Sequence, residues 1–417
     1  MPNLGNSFRK YQFHLLLLGI GLVWISVFDH LLQLHLQTYI SHDALSYQQS
    51  AENLYVYHRG HNYRPMLMAA LTGIPYLFGG GNASVYLFSY GLNWVCWLGS
   101  ILVLFEILRF FLKPKFAFVF TLASIFLVGI NALVFELCTE IIYLFLILSA
   151  VYFLFKYQRT EVFKYLAFAL SLLVLSMLIK PGSKFLAILL TVYFVKQLVF
   201  NYGSRFAWLL YGSYFLVLVQ CAGVKYQFGN FTLGYIDAVT YYDYLGAKAE
   251  SLRTNQTFET VWKQRADYIY SLPNPEQKVI ASRDFTDQLQ YNTAHFFRAY
   301  FYNLGENAST GSVKIAILEN LQGKVNHGTI KTLGYTISEW QNRLLSIVGF
   351  LLSVLLLLRF KSTEKPLLVT AFFVIYIMLL SGISCNEGDR FHIVTFPFVL
   401  MLISQWSSRK IKGIRID

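Results

Sequence analysis

Ionisable side chains are scarce in this 417-residue chain, and several of them gather at a few places. Asp43 follows the first long apolar run. Glu136 and Glu140 bracket a short turn between two later runs. Lys180 sits in Ile179-Lys180-Pro181, while Glu387, Asp389, Arg390 and His392 open the last apolar run. Acids in such a set can act as a base towards an acceptor hydroxyl or hold a metal ion. Lysine and arginine can bind an anionic leaving phosphate. Together they fit group transfer from a phosphorylated lipid, whose tail stays in the bilayer while its head reaches the charged turns. Charges near a membrane core are costly and mark substrate paths.

The elements that must position these residues are membrane helices. Of the chain, 56% is apolar, 18% aromatic and only 13% charged, about half the charge of a soluble domain. No Asp, Glu, Lys or Arg occurs between Pro65 and Phe105, Phe116 and Phe135, Phe206 and Val224, or Pro366 and Asn386. About 20 apolar residues cross the hydrocarbon core as a helix, and helices satisfy their own backbone there. Ten spans fit, near 12–34, 84–108, 116–136, 137–155, 165–179, 183–200, 206–224, 342–358, 366–384 and 391–408. The expected fold is an all-α polytopic membrane protein. The first stretch follows Arg9 and Lys10 without a small-residue cleavage site, and reads as a retained helix. Cys96, Cys138, Cys221 and Cys385 are scattered, with no CxxC, and read as core residues.

The net charge of +12 is topological. With the N-terminus inside, the inner segments hold 17 basic residues against three acids, Glu161, Glu364 and Asp417. This positive-inside bias places both termini in the cytoplasm and the candidate site on the outer face. It also turns the charge away from nucleic acid. Two outer segments are too long for connectors, 35–83 and 225–341. The division expected is an N-terminal membrane module at 1–224, an external helical cap at 225–341, and C-terminal helices with a basic tail at 342–417. The cap carries aromatic-rich helical stretches at Tyr235–Leu252 and Phe285–Tyr302, with a break at Leu272-Pro273-Asn274-Pro275.

Ser41-His42-Asp43-Ala44-Leu45-Ser46-Tyr47, followed by Tyr63-Arg64-Pro65-Met66-Leu67 and Phe78-Gly79, resembles the first external loop of the C-type (integral membrane) glycosyltransferases. Phe135-Glu136-Leu137-Cys138-Thr139-Glu140 is similar to that superfamily's acidic turn. Ile179-Lys180-Pro181 is similar to its basic-proline turn, and Gly388-Asp389-Arg390-Phe391-His392 to its late arginine–aromatic motif. The motifs are short, but they run in the right order over most of the chain. The resemblance implies a polyprenyl-phosphate sugar donor, a glycan, lipid or protein acceptor, and an inverting single displacement on the outer face. It implies Asp43 as base or acceptor-positioning acid, with Glu140 assisting it or sharing a divalent metal with it. Lys180 and Arg390 would hold the carrier phosphate, with Arg64, Tyr47 and His392 as further binding candidates. Methionine instead of a second proline follows Pro65, and the large external segment lies between the seventh and eighth spans, so the acceptor does not carry over.

Plainer roles compete for each residue. Asp43 would cap a short amphipathic helix over Ala44–Tyr57. Glu136 and Glu140 would be wet interfacial acids, Lys180 and Lys184 would snorkel, Arg390 would pair locally, and His392 would be a core histidine. Sequons begin at Asn82, Asn230, Asn255 and Asn307, and matter only in an endoplasmic reticulum. The absence of a retention signal points instead to a bacterial inner membrane. No Walker A, HExxH or nucleophile-elbow pattern occurs. The alternatives are a lipid-linked glycan polymerase or ligase, which would bring paired arginines to a diphosphate where this chain has Arg253, Arg265, Arg283 and Arg298 scattered among acids, or a transporter of lipid-linked sugars.

Overall fold

The computed structural model describes residues 4–37 and 41–413. Arg415 and Asp417, counted above on the inner side, lie outside the described residues, as do the side chains of Arg9, Lys10, Arg409, Lys410 and Lys412. The described chain is helical throughout its regular structure: α1 (Leu4–Leu32), α2 (His42–Tyr55), α3 (Met66–Thr72), α4 (Asn82–Leu108), α5 (Pro114–Ile125), α6 (Val128–Val134), α7 (Glu140–Thr160), α8 (Phe163–Met177), α9 (Lys184–Tyr193), α10 (Val195–Phe200) and α11 (Ala207–Phe228). Then come α12 (Ile236–Thr240), a π-helical turn (Tyr241–Gly246), α13 (Ala247–Thr254), α14 (Phe258–Ser271), α15 (Asn274–Tyr291), α16 (Thr293–Ser309) and α17 (Val313–Ala316). The chain closes with α18 (His327–Leu358), α19 (Lys365–Ser381) and α20 (Phe396–Gly413).

The protein is an integral membrane protein. Five helices are long and apolar enough to cross a bilayer: Tyr11–Leu32 of α1, and α4, α7, α11 and α18. The α5–α6 pair is apolar enough only when taken together, bent by 63° as a broken span or a re-entrant loop, and α8, Pro181–Tyr193 and α19 are shorter apolar helices. All ten expected segments are helical, but not as ten uniform rods. The stretch 116–136 breaks at Phe126-Leu127, and 183–200 breaks at Phe194. Helix α18 begins at His327, well before residue 342, so the end of the expected external segment belongs to the helix that follows it.

The break between α5 and α6 is repaired from elsewhere. Gln341 of α18 accepts from the Val128 amide at 2.9 Å and donates to the Phe126 carbonyl at 2.8 Å. Asn131 donates to the Ile125 carbonyl at 2.9 Å. A broken helix is tolerated at membrane depth only when its freed backbone groups find such partners.

Two apolar cores are distinct. The larger joins the membrane helices, with Trp97, Tyr143, Phe155 and Phe398 among its fully buried side chains. The smaller lies within α13–α16 and the π-turn, around Tyr241, Tyr242, Leu245, Ile269 and Phe296. Arg265 braces it. Its guanidinium stacks on Tyr242 at 3.7 Å and bonds both oxygens of Asp284 at 3.0 and 2.7 Å.

Helix α16 fastens this second unit to the membrane helices through a buried asparagine network. Asn307 donates to the Ser381 and Ser384 carbonyls, both at 2.9 Å, and Asn303 donates to Gly382 at 3.2 Å. Asn342 of α18 donates to the Asn307 and Thr310 carbonyls, both at 2.7 Å. These bonds hold the end of α19, where the Glu387–Arg390 turn begins. Asn307 is fully buried, so its sequon presents no acceptor side chain. Leaving buried carbonyls unpaired costs roughly 1–3 kcal/mol each. Asn307→Ala is therefore expected to lower stability by about 2 kcal/mol or more, read as a reduced melting temperature of the detergent-solubilised protein.

Candidate active site

Four short sequence devices aim side chains at one point. Ser41, not Asp43, caps α2: its hydroxyl accepts from the Ala44 amide at 3.0 Å, and the helix starts at His42. Asp43 thus falls in the first turn with its carboxylate unengaged by the cap, which corrects the expectation of a capping role. Glu140 likewise opens α7. Both acids sit where the helix dipole favours negative charge. The two bases that answer them each precede a proline, Arg64-Pro65 and Lys180-Pro181. A residue before proline is held extended, as Lys180 is at φ −134°, ψ 104°. Its side chain consequently stands clear of the helix that follows. Arg390 comes from a turn in which Asn386 and Gly388 take positive φ, 61° and 57°. At Gly388 a Cβ would come within 2.5 Å of the Gly311 carbonyl, so only glycine permits the close approach.

The result is a chain of alternating charge. Lys180 Nζ bonds Glu140 Oε1 at 2.9 Å, and Arg390 Nε bonds the same oxygen at 2.8 Å. Arg390 Nη1 reaches Asp43 Oδ2 at 2.6 Å and Glu387 Oε2 at 3.3 Å. Asp43 Oδ1 in turn accepts from Arg64 Nη2. Arg64 also donates from Nε to Ser46 at 2.9 Å and from Nη1 to Tyr47 at 3.2 Å, stacking on the Tyr47 ring at 4.4 Å. Three acids therefore meet three bases. Burial raises the Asp43 carboxyl, but the Arg390 and Arg64 guanidiniums outweigh it and hold the group well below the usual carboxylate range. For Glu387 burial prevails over Arg390, and its carboxyl is raised.

Of the residues singled out in the sequence, Asp43, Tyr47, Arg64, Glu140, Lys180 and Arg390 converge. His392 does not join them. Its two ring nitrogens are taken by Ser346 at 2.7 Å and Ser381 at 2.9 Å, inside the helix packing. Glu136 belongs to a neighbouring pair. It accepts from Ser41 Oγ and lies 3.9 Å from Lys314, a buried lysine of α17. Lys314 was not legible in the sequence, where it is one more base in a nearly neutral segment. Tyr244 was missed as well. It is the one partly exposed residue of the π-turn, and burial, then the Glu387 and Asp43 charges, raise its phenol. The run Tyr241-Tyr242-Asp243-Tyr244 was its only signal.

The donor set does not fit the divalent cation that Asp43 and Glu140 could have shared. The Arg390 guanidinium bridges the two carboxylates, and among the described residues no three His, Cys, Asp or Glu side chains come together as ligands. The diphosphate role open to the external arginines is also partly taken up. Arg265 is committed to Asp284, and Arg253 bonds Glu250 at 2.9 Å.

No protein-family model and no curated protein matches the sequence. Solved structures are similar in fold. The apo oligosaccharyltransferase of Archaeoglobus fulgidus superposes with a TM-score of 0.51 at 13% identity, over 95% of this chain and 51% of that one. The same organism's oligosaccharyltransferase AglB, in complex with an inhibitory peptide and a dolichol-phosphate, gives 0.46 at 11% identity, over 98% and 53%. ArnT from Cupriavidus metallidurans, bound to undecaprenyl phosphate, gives 0.38 at 11%, over 97% and 79%. The chain spans about half the length of the oligosaccharyltransferase and shares its helical fold.

Asp389 underlies the position of Arg390. Its side chain is buried against Gly129, where a Cβ would collide with Oδ2, an oxygen with no partner among the described residues. Burial pushes its carboxyl from 3.8 up to about 8. With the folded value above the unfolded one, its contribution to stability is full below about pH 4 and is lost as pH rises through about 8. Asp389→Asn should remove this loss. The melting temperature of the variant relative to wild type is expected to rise between about pH 4 and 8, then level off. Gly129→Ala should displace Asp389, lowering the melting temperature of the detergent-solubilised protein.

Proposed function

We propose that the chain moves a sugar from a polyprenyl-phosphate carrier to an acceptor at the non-cytoplasmic face of a membrane, by one inverting displacement. The observation that carries this is the Arg390 guanidinium set between Asp43 and Glu140 with Lys180 beside it. The bases of this cluster are satisfied at rest by carboxylates, which an arriving phosphate would replace. Guanidinium and ammonium groups bind a leaving phosphate through short charge-assisted bonds. The polyprenyl tail would lie along α9, which turns Phe185, Ile188, Leu189 and Val192 outward beyond the Lys180 turn.

Donor binding would also create the base. In the resting arrangement Asp43 is held low by two guanidiniums and is a weak proton acceptor. When Arg390 turns to the phosphate, Asp43 loses one of them and its basicity rises. The acceptor hydroxyl oxygen then attacks the anomeric carbon from the face opposite the phosphate. The carbon–oxygen bond to the carrier breaks, its electron pair leaves on the phosphate, and the hydroxyl proton passes to Asp43. Glu140 keeps Lys180 and Arg390 in place, and Arg64 and Tyr47 orient Asp43. No step runs through a metal.

The same reading sets the site in the outer turns of about ten spans, with 1–224 and 342–417 forming the membrane part and 225–341 the cap. The excess of bases on the opposite side supports cytoplasmic termini, and a bacterial inner membrane is the setting proposed.

Asp43→Asn keeps the shape of the side chain and removes the base. With a panel of radiolabelled polyprenyl-phosphate sugars and membrane acceptors, transfer by this variant is expected to fall by roughly 10²–10⁴-fold at equal protein level. Arg390→Lys, which cannot bridge two carboxylates and a phosphate as a planar fork does, should fall comparably. Unchanged transfer in Asp43→Asn would remove it from the chemistry, and no transfer by wild type from any donor would remove the reading.

A further inference from the structure

Arg64 has a second side. Behind it, between the α2–α3 connection and the outer half of α11, lies a cavity of about 130 Å³. Arg59, His61, Arg64, Gln220, Gly223 and Gln227 are among its lining, and no Asp or Glu is. Arg64 spends three of its five N–H groups on Ser46, Tyr47 and Asp43, which leaves two. His61 Nδ1 accepts from the Tyr63 and Arg64 amides at 3.1 and 3.3 Å, which fixes the ring proton of the neutral form on Nε2 as a donor. Burial, with the charges of Arg64 and Arg59, pushes the imidazole down to about 4, so that neutral form holds at physiological pH. Gln227 receives the Gly60 amide on its oxygen at 2.7 Å, leaving its amide nitrogen. Gln220 is spent on Met66 and Leu233. The cavity is thus supplied with donors and two fixed positive charges: Arg64, answered by Asp43 on its far side, and Arg59, which has no carboxylate partner among the described residues.

Its other wall is apolar. Val219, Val224 and Phe228 belong to α11, a helix long and apolar enough to cross the membrane, at the end that meets the external loop. Gly223 stands in this wall with open space around it: a Cβ there would meet nothing within 4 Å. A free inorganic anion would use the donors and leave this wall idle. An amphiphile with an oxyanion head uses both.

We propose that this cavity is the acceptor subsite and that the acceptor is an anionic, phosphate-bearing lipid, its head on Arg59, His61 and Arg64 and its chain beside α11. This deepens the transferase reading and rests on it. Arg64 is the wall shared with the charge chain, so a headgroup held there lies next to Asp43, which takes the proton of the attacking headgroup hydroxyl. The bond made is from that oxygen to the anomeric carbon, and the bond broken is the one to the carrier phosphate. Donor and acceptor then approach from opposite ends of the chain, Lys180 at one and Arg64 at the other.

The test is lipid retention by the full chain, measured by native mass spectrometry from nanodiscs containing phosphatidic acid and phosphatidylcholine, with inorganic phosphate as competitor. Wild type is expected to retain phosphatidic acid selectively, and millimolar phosphate should not displace it. Arg59→Gln, which removes a charge-assisted bond, and Gly223→Leu, which fills the cavity, should each reduce retention about tenfold. Gly223→Ala adds one methyl to open space and should behave as wild type, separating occlusion from any defect in α11. Equal retention by Gly223→Leu at wild-type melting temperature overturns the proposal. So does displacement by inorganic phosphate, which would mark a free-anion site. This outcome is independent of the Asp43→Asn transfer assay, so failure of the donor reading and failure of the lipid subsite are told apart.

Discussion

The Arg390 guanidinium is the constraint around which the rest is arranged. It touches Asp43 on α2, Glu140 on α7 and Glu387 on its own turn, so three separate elements must meet within the reach of one planar group. Taking such charges out of water is expensive, and their mutual attraction offsets the cost only when each is well partnered. Partnering is complete here because acids and bases come in equal number. Removing any one member leaves an uncompensated buried charge, a loss of about 3–5 kcal/mol in comparable pairs. Stability and chemistry are therefore coupled in this cluster. On the proposed reading, the carboxylates that hold the protein together at rest are the groups a donor phosphate would compete with.

Much of this was written in local sequence, through devices that do not depend on the fold. Proline after Arg64 and after Lys180 forbids helix at the base itself, and helix starts at His42 and Glu140 put acids where the backbone dipole favours them. These are short-range rules, and the residues they govern did converge. The plainer reading of Asp43 as a cap failed, because serine two positions earlier caps the helix and leaves Asp43 inside its first turn. Periodicity found each apolar segment but not where it bends. The run from Phe116 to Phe135 is apolar on both sides of Phe126, so composition carries no mark of a 63° turn.

What remained hidden depends on partners far along the chain. Lys314 gains meaning only from Glu136, Tyr244 only from the Glu387 and Asp43 charges that act on it, and Gly129 only from the carboxyl of Asp389. His392 shows the converse. Its position in a motif beside Arg390 suggested a ligand, yet the two-residue step from Arg390 turns it away to bridge Ser346 and Ser381. Adjacency in sequence did not survive as adjacency in space, whereas the separation of Glu140 from Arg390 did not prevent contact.

The broken span also bears on the order in which the protein can be assembled. The groups freed at the Phe126–Val128 break are satisfied by Gln341, on a helix synthesised more than 200 residues later. Until that helix enters the bilayer, the break would expose a bare amide and a bare carbonyl to hydrocarbon. The bent geometry that brings Gly129 against Asp389 is consequently a late product of biogenesis.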